Sequence, residues 1–299
     1  MYPKSRLHLA QYLVSLSLVQ GGVSLCAGVA LAQQPNVTTT VIEDSRPVSK
    51  AIEILTAHYP VLITYEDPPY EYAQDLKDVT FMRKDLHLYK NGEAPRLLTP
   101  IGGVFNFDYV VSPGGADITD LDVTVQKILD AHAATGGAGK FAAERAGQWL
   151  HVTPRELKNK EGLWIERSSI LDTRITIPAQ EVDGDRMLVL ITEAIKEVPV
   201  RVGTTPMNEF LSYHGLIEAS DEPAQAVLAR VLQEVDPRAT WRLLYEPSPI
   251  EAIHGYYLNV LIVGGPQAPK FRAVERPPQP RPGDSTPAGP VVRTPSARN

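Results

Sequence analysis

Cysteine is almost absent from this chain of 299 residues, which contains only Cys26. Residue 26 falls in an N-terminal segment that is predicted to be removed from the mature protein. A mature chain without thiols excludes disulfides, cysteine nucleophiles, CxxC redox chemistry and cysteine–zinc sites. Such a chain must be stabilised by its own hydrophobic core, and this one is long enough to build it.

The N-terminal segment, residues 1–32, has the layout of a cleavable export signal. Positive charge at Lys4 and Arg6 is followed by an apolar stretch over 13–25 and an Ala-Leu-Ala motif typical of signal-peptidase cleavage. The apolar stretch is shorter than the roughly 20 residues that a membrane-spanning helix needs. We therefore expect cleavage before Gln33, a periplasmic or extracellular location, and a mature chain with no stable transmembrane segment.

Positive charge is also in deficit. The chain has a net charge of −6, and removal of residues 1–32 takes it to −8. No stripe of Lys and Arg is present in the sequence. An acidic chain of this kind argues against nucleic-acid partners and against anionic membrane surfaces.

Recognisable catalytic motifs are missing as well. The sequence contains no GxSxG, SxxK or HExxH motif and no glycine-rich phosphate-binding frame. No two histidines have the HxH or HxxxH spacing that a metal site favours, so they are expected to be structural. The absence of these motifs predicts no catalytic residues, no metal and no cofactor, and hence a protein that is not an enzyme. The mature histidines are His58, His87, His132, His151, His214 and His254.

Hydrophobic periodicity predicts an α+β fold. Apolar residues at helical spacing predict four helices, at 48–58, 123–134, 185–196 and 222–235, with Ser45 as a cap of the first. Short β-branched runs predict eight strands, at 38–42, 61–65, 140–144, 148–152, 170–177, 200–202, 240–245 and 256–263.

These elements fall into two halves of similar layout. Each half has a strand, a helix, a strand, a second helix and a hairpin, which predicts two tandem modules over 33–160 and 161–263. Each module is expected to be a small sheet with two helices on one face. The first contains an insertion, 66–121, predicted to form an extra hairpin from 79–89 and 104–111. The Pro-rich segment 264–299 is expected to be a disordered tail, either a spacer or a plain chain end.

The first half resembles the secretin/TonB short N-terminal (STN) domain. The sequence RPVSKAIEIL over 46–55 is similar to the family's PLxxALxxL helix, and VLITY over 61–65 is similar to the following strand that ends in Tyr. DVTVQKIL over 122–129 corresponds to the second helix of that family, and 139–153 corresponds to its hairpin. The resemblance implies a periplasmic module that contacts another protein or the cell wall. No catalytic residues are known for that family, and none is transferred.

The most distinctive polar patch is the segment 65–72, which combines three tyrosines with three carboxylates. Aromatic rings beside acids suit a sugar, a cationic peptide or Ca²⁺, although the two prolines do not fit a calcium loop. A strand that ends in an extended Pro-Pro turn explains the same residues. The candidate ligand-binding residues are Tyr65, Glu66, Asp67, Tyr70 and Tyr72.

Three functions remain open at this point. The first is an exported, non-enzymatic protein that binds an envelope protein or peptidoglycan, through exposed sheet edges for example. The second is a periplasmic binder of a small ligand or glycan that uses the loop 65–72. The third is a hydrolase whose carboxylates converge only in the folded chain.

Overall fold

A computed structural model describes residues 36–59, 61–89, 94–111, 118–250 and 252–264. Within these ranges the chain combines α-helices with β-strands in several sheets, which confirms the α+β class. The predicted signal over 1–32 lies outside the described residues, as does all of the predicted tail except Gly264.

The helices and strands follow the predicted order with additions. The helices are α1 (Pro47–His58), α2 (Ile118–Ala134), α3 (Gly184–Ala194), α4 (Met207–Ser212) and α5 (Ala224–Val235). The strands of the first half are β1 (Asn36–Asp44), β2 (Leu62–Glu66), β3 (Leu76–Asp78), β4 (Leu98–Pro100), β5 (Gly103–Val111), β6 (Lys140–Ala146), β7 (Trp149–Lys158) and β8 (Trp164–Glu166). Those of the second half are β9 (Arg174–Asp183), β10 (Val200–Val202), β11 (His214–Pro223), β12 (Ala239–Glu246) and β13 (Gly255–Ile262).

In the first half, two helices lie between two groups of strands. β1 pairs antiparallel with β5, and both α1 and α2 contact β5. On the other side of the helices, β2 runs parallel to β7, which pairs antiparallel with β6. Buried side chains from these elements form one core, which includes Ile42, Leu55, Phe105, Ile128 and Val152.

The second half repeats this pairing pattern. β9 pairs antiparallel with β11, β10 runs parallel to β13, and β13 pairs antiparallel with β12. The helices α3 and α5 contact the β9–β11 pair on one side, and β10 and β12 respectively on the other. Their core includes Ile177, Met187, Leu228, Leu243 and Leu258.

The two halves share a sheet, which differs from the prediction of a separate sheet for each. β12 runs parallel to β2, so the strand order is β10-β13-β12-β2-β7-β6, with β8 on the end of β7. The existence of a strand is easier to predict from sequence than the identity of its partner strand. Pairing between the halves depends on contacts between residues that are distant in sequence.

The two helix pairs cover opposite faces of this shared sheet. Tyr65 of β2 belongs to the core around α1 and α2, and the next residue, Glu66, pairs with Leu243 of β12. Leu243 belongs to the core around α3 and α5. Because successive side chains in a strand point to opposite faces, the two cores lie on opposite sides of the sheet.

The insertion does not form the predicted hairpin. β5 covers the predicted strand 104–111 but pairs with β1, because Phe105, Phe107 and Tyr109 alternate along it and are buried against the first core. Residues 79–89 instead contain two short 3₁₀ turns, and β3 pairs with β4 as a separate ribbon.

The second half also departs from the prediction at one strand and adds another. The predicted strand 170–177 begins only at Arg174, because Ile170–Asp172 forms a 3₁₀ turn. β11 is absent from the prediction: only Ile217 and Ala219 are buried along it, and the apolar Leu216 beside them is exposed. Only the tertiary pairing with β9 identifies this segment as a strand.

Candidate functional site

The predicted ligand-binding segment 65–72 is largely buried. Tyr65, Glu66, Asp67 and Tyr70 are each at most 9 % exposed, and Asp67 has no exposed surface. Tyr72 is half-buried, and its ring packs 5.6 Å from the Lys158 ammonium. Four of the five predicted ligand-binding residues are therefore buried at the junction between the two halves: Tyr65 and Glu66 end β2, and Asp67 and Tyr70 follow it.

Asp67 is the centre of this junction. Its carboxylate accepts hydrogen bonds from Arg46 Nε at 2.5 Å, Tyr65 Oη at 2.7 Å and Tyr70 Oη at 3.1 Å. It also accepts from the backbone N–H of Tyr245, at 3.0 Å, on β12 of the second half. A carboxylate buried this completely is stabilised only because every side is paired.

The pKa values of the groups around Asp67 reflect both their burial and the neighbouring carboxylate. Burial alone would lower the pKa of Arg46, but the Asp67 carboxylate raises it above its usual value. Burial, and then the negative Asp67, raises the pKa of Tyr65 and of Tyr70 well above 10.0. The phenols therefore stay protonated and act as donors to Asp67. The cluster is a structural ion-pair network, with its charged and phenolic groups already engaged.

The side chain of Glu66 lies on the opposite face of β2 from that of Tyr65. It makes a second link between the halves. Its carboxyl accepts from the hydroxyl of Ser169 and from the backbone N–H of Ile170, the latter at 3.0 Å. Burial raises the pKa of Glu66 to about 7, against lowering by these two hydrogen bonds. Ser169 itself caps a 3₁₀ turn by accepting from Leu171 N, so both side chains have structural partners.

The histidines do not converge. Among the described residues, no group of three or more His, Cys, Asp or Glu side chains is placed to hold a metal ion. His151 bonds to Thr64 Oγ1 at 2.7 Å across β2 and β7, and burial lowers its pKa to about 4. His254 bonds to Tyr245 Oη at 3.1 Å. His151 and His254 are thus each hydrogen-bonded to a neighbouring side chain through one ring nitrogen.

The feature that the sequence analysis missed is an apolar groove of about 650 Å³ beside the β3–β4 ribbon. Phe81 and Met82 lie at its border and are 76 % and 65 % exposed. The insertion had no helical or strand periodicity that would single out these side chains. The apolar lining of the groove is Val79, Phe81, Met82, Leu97 and Leu98, and we call these five residues the docking groove.

The turn that carries Phe81 and Met82 is held by hydrogen bonds. The Asp78 carboxylate accepts from Thr80 N at 2.9 Å and from Thr80 Oγ1 at 2.5 Å, and it pairs with Arg96 Nε at 2.8 Å. The Thr80 hydroxyl is the main reason that the pKa of Asp78 falls to about 2, so this acceptor stays ionised. Phe81 and Met82 are thus presented on an ordered turn.

The ribbon beneath the groove is attached to the second half. Ser248, buried in the connection from β12 to β13, accepts a hydrogen bond from Leu98 N at 3.0 Å. Leu97 O accepts in turn from Val79 N at 2.8 Å, which ties the ribbon to the turn. Beside the docking groove, Ser45 and Arg46 of the first half and Glu246 of the second complete the wall.

Comparisons with known proteins do not add an identity. No family model matches the chain, and no curated protein or solved structure matches it significantly. In the part of the chain that the structure describes, no helix has both the length and the apolar character required to cross a membrane.

Proposed function

We propose that this chain is an exported, non-enzymatic envelope protein whose task is to bind another protein through the docking groove. The observation that carries the proposal is the exposure of Phe81 and Met82 on a turn that Asp78 holds in place. Large contiguous apolar patches on a protein surface mark interaction sites. Aromatic residues and methionine are enriched at the centre of protein interfaces.

The ordered turn strengthens the case for binding. A surface loop that merely tolerates apolar residues has no need of a capping carboxylate, a salt bridge and a tie to Ser248. A held loop loses little conformational entropy when a partner docks, so more of the contact energy appears as affinity. Burial of the two exposed side chains then supplies the driving force.

The expected partner is a protein segment with large apolar side chains between basic residues. Apolar side chains match the lining of the groove, and basic flanks match the net charge of −8 expected for the exported chain. Charge complementarity of this kind accelerates encounter and selects among partners. The export and the periplasmic or extracellular location are proposed from residues 1–32, and peptidoglycan is the less favoured partner because the lining is apolar.

The repeated layout supports the proposal that the first half is a module of the STN type and that the second half is a module of similar layout. In both halves a strand, a helix and a strand are followed by a second helix and a hairpin, and the strands pair in the same way. Modules of that family act by contact with other proteins, which agrees with a binding role.

The proposal is tested by site-specific crosslinking in cells. A photoreactive phenylalanine analogue is placed at position 81 and, as a matched control, at Leu216, which is 57 % exposed on β11. We expect one protein to crosslink at position 81 and not at 216. The purified partner should then bind Phe81→Ser/Met82→Ser at least tenfold more weakly, since interface centres of this kind contribute most of the affinity.

Two results would contradict a docking function for the groove. One is crosslinking to the same proteins at both positions, which indicates random collision. The other is an unchanged affinity of the identified partner for the double variant, with Leu216→Ser as the matched surface change. Far-UV circular dichroism of each variant checks that the fold is retained.

A further inference from the structure

The short helix α4 presents two apolar side chains to solvent. Met207 and Leu211 are 52 % and 49 % exposed, and residues four apart in a helix lie on the same face. The helix itself is anchored, because Phe210 has no exposed surface and belongs to the core of the second half. Met207 and Leu211 are thus held in a fixed position, and we call these two residues the α4 surface.

The surroundings of the α4 surface are acidic. Glu209 lies on the same helix and is exposed. The exposed Glu234 accepts a hydrogen bond at 2.6 Å from the hydroxyl of Tyr213, the residue that follows α4. The nearby Arg238 is paired with Asp236 at 2.7 Å, so its positive charge is already balanced. A segment that docks on α4 therefore meets apolar side chains next to negative charge.

The last described residue, Gly264, lies at the end of the shared sheet where α4 begins. The backbone N–H of Val260 donates to the carbonyl oxygen of Thr204, in the connection from β10 to α4, at 2.8 Å. The N–H of Val263 donates to the carbonyl oxygen of Arg238 at 3.0 Å. The hydrogen bond to Asp236 is the main cause that raises the pKa of Arg238, and the Glu209 carboxylate of α4 adds to it. The chain beyond Gly264 therefore starts close to α4.

Residues 264–299 are opposite in charge to the rest of the mature chain. They contain six Lys and Arg residues against two Asp and Glu residues, a net charge of +4. Residues 33–263 contain 21 against 33, a net charge of −12. Phe271 is the single aromatic residue of 264–299 and lies directly between Lys270 and Arg272. An apolar ring with a cation on each side is complementary to an apolar surface beside carboxylates.

Distance favours the α4 surface over the docking groove as the site for this ring. Phe271 is seven residues beyond Gly264, so the two are at most about 25 Å apart. The docking groove lies at the other end of β12 and β13, where Glu246 pairs with Gly255. The seven steps along β13 from Gly255 to Ile262 already take about 23 Å. Phe271 would reach the groove only in a nearly straight chain, whereas α4 lies at the near end.

We propose that the α4 surface is the docking site for the chain's own segment 270–272, with Phe271 packed on Met207 and Leu211 and its basic neighbours beside Glu209. A tether of seven residues keeps the ring at an effective concentration in roughly the millimolar range. A contact with a dissociation constant of about 1 mM is then substantially occupied. One ring on two exposed side chains is enough for such a contact, and the docked segment covers α4 against other partners.

The test uses the composition of the chain expected after cleavage, which has no cysteine and whose methionines are Met82, Met187 and Met207. A nitroxide spin label on Ala273→Cys modifies a single site, and ¹³C-methyl spectra of the methionines report which surface it approaches. We expect strong broadening of the Met207 signal and a sharp signal from Met82 in the docking groove. Phe271→Ser should weaken docking roughly tenfold and remove most of this broadening, since burial of the ring drives the contact.

Matched variants separate docking from the mere proximity of the tether. Leu211→Ser, on the α4 surface, should reduce the broadening as Phe271→Ser does. Leu216→Ser, at an exposed leucine of β11, should leave it unchanged. Val291→Ser, further along the same segment, should also leave it unchanged. Far-UV circular dichroism of each variant checks that the fold is retained.

Three results would overturn the proposal. Broadening of Met207 that persists at full strength in Phe271→Ser would reflect the tether alone. Stronger broadening of Met82 than of Met207 would place the segment in the docking groove. Equal broadening of an isotope-labelled chain by a separate, spin-labelled chain would assign the contact to a second copy and not to the chain's own segment.

Discussion

Two adjacent carboxylates, Glu66 and Asp67, occupy very different environments at the junction of the halves. Asp67 faces a guanidinium and three further donors, whereas Glu66 has only the Ser169 hydroxyl and the Ile170 N–H as hydrogen-bond donors. Two neutral donors do not compensate for removal of a charge from water. Glu66 is therefore the residue through which pH should act on this fold.

We predict that Glu66 makes the protein less stable as the pH rises from about 4.5 to 7. The folded pKa of about 7 lies above the usual value of 4.5, so the folded state binds the extra proton in this window. Stability is then fully present below pH 4.5 and lost as pH passes the folded pKa, by up to about 3 kcal/mol. Glu66→Gln should remove this dependence, measured as the free energy of unfolding in urea at pH 5 and pH 8.

Glu193→Gln is the matched control, since Glu193 is largely exposed and its ion pair with Arg186 is a surface one. It should retain the pH dependence of the unchanged protein. An identical pH dependence in Glu66→Gln would show that the Glu66 carboxyl does not govern it.

At the scale of elements, the β3–β4 ribbon illustrates how an irregular segment acquires order. The ribbon has only three ladder pairs, too few to be stable by itself. Its anchors are the turn at Asp78 and the buried Ser248, which is contributed from 150 residues further along the chain. Local sequence at the ribbon gives no sign of the second anchor.

We predict that Ser248→Ala loosens the ribbon. The change leaves the partly buried Leu98 N–H without its acceptor, and loss of such a hydrogen bond costs about 1 kcal/mol. Hydrogen exchange of the amides of Leu97 and Leu98 should become faster, while those of α3 stay protected. Ser212→Ala, at an exposed serine in α4, is the control and should leave the exchange of the ribbon unchanged.

The helices and strands also show how much of the secondary structure could be predicted from the sequence. Helices α1, α2, α3 and α5 were predictable because each repeats apolar residues at a spacing that local geometry imposes. β11 was not, because only two of its residues, Ile217 and Ala219, are buried, which is too few to show an alternation. The partner of β5 was not, because the choice of β1 over the segment 79–89 depends on the whole first core.

For the molecule as a whole, the decisive feature is that β12 joins β2. The shared sheet also packs the second face of the first half's strands against the second half. Leu62 and Trp149 of the first half belong to the core of the second. Trp149 lies 6.3 Å from Trp241, ring centre to ring centre, across this boundary. The halves therefore belong to one compact unit, even though each has its own helix pair.

We predict that Asp67→Asn destabilises this unit by about 3–5 kcal/mol. The change leaves Arg46 as a largely buried cation without its partner, which costs more than the pair itself is worth. Urea unfolding should be followed by tryptophan fluorescence, which reports Trp149 and Trp241 at the boundary, and by circular dichroism.

Asp130→Asn, at an exposed helix position bonded only to Gln126, is the control and should unfold near the midpoint of the unchanged protein. A loss no larger than that of the control would mean that the Asp67 network does not hold the halves together.

By itself the sequence determined the α+β class, four of the helices, most of the strands and the repeated order of elements, because periodicity and propensity act over short stretches of chain. It also singled out the segment 65–72 by its composition. Only the tertiary structure decided that these residues form a buried junction, because their partners Arg46, Ser169 and Tyr245 come from elsewhere in the chain. The docking groove depends on tertiary structure as well, since the ribbon that carries it is anchored by Ser248 from the second half.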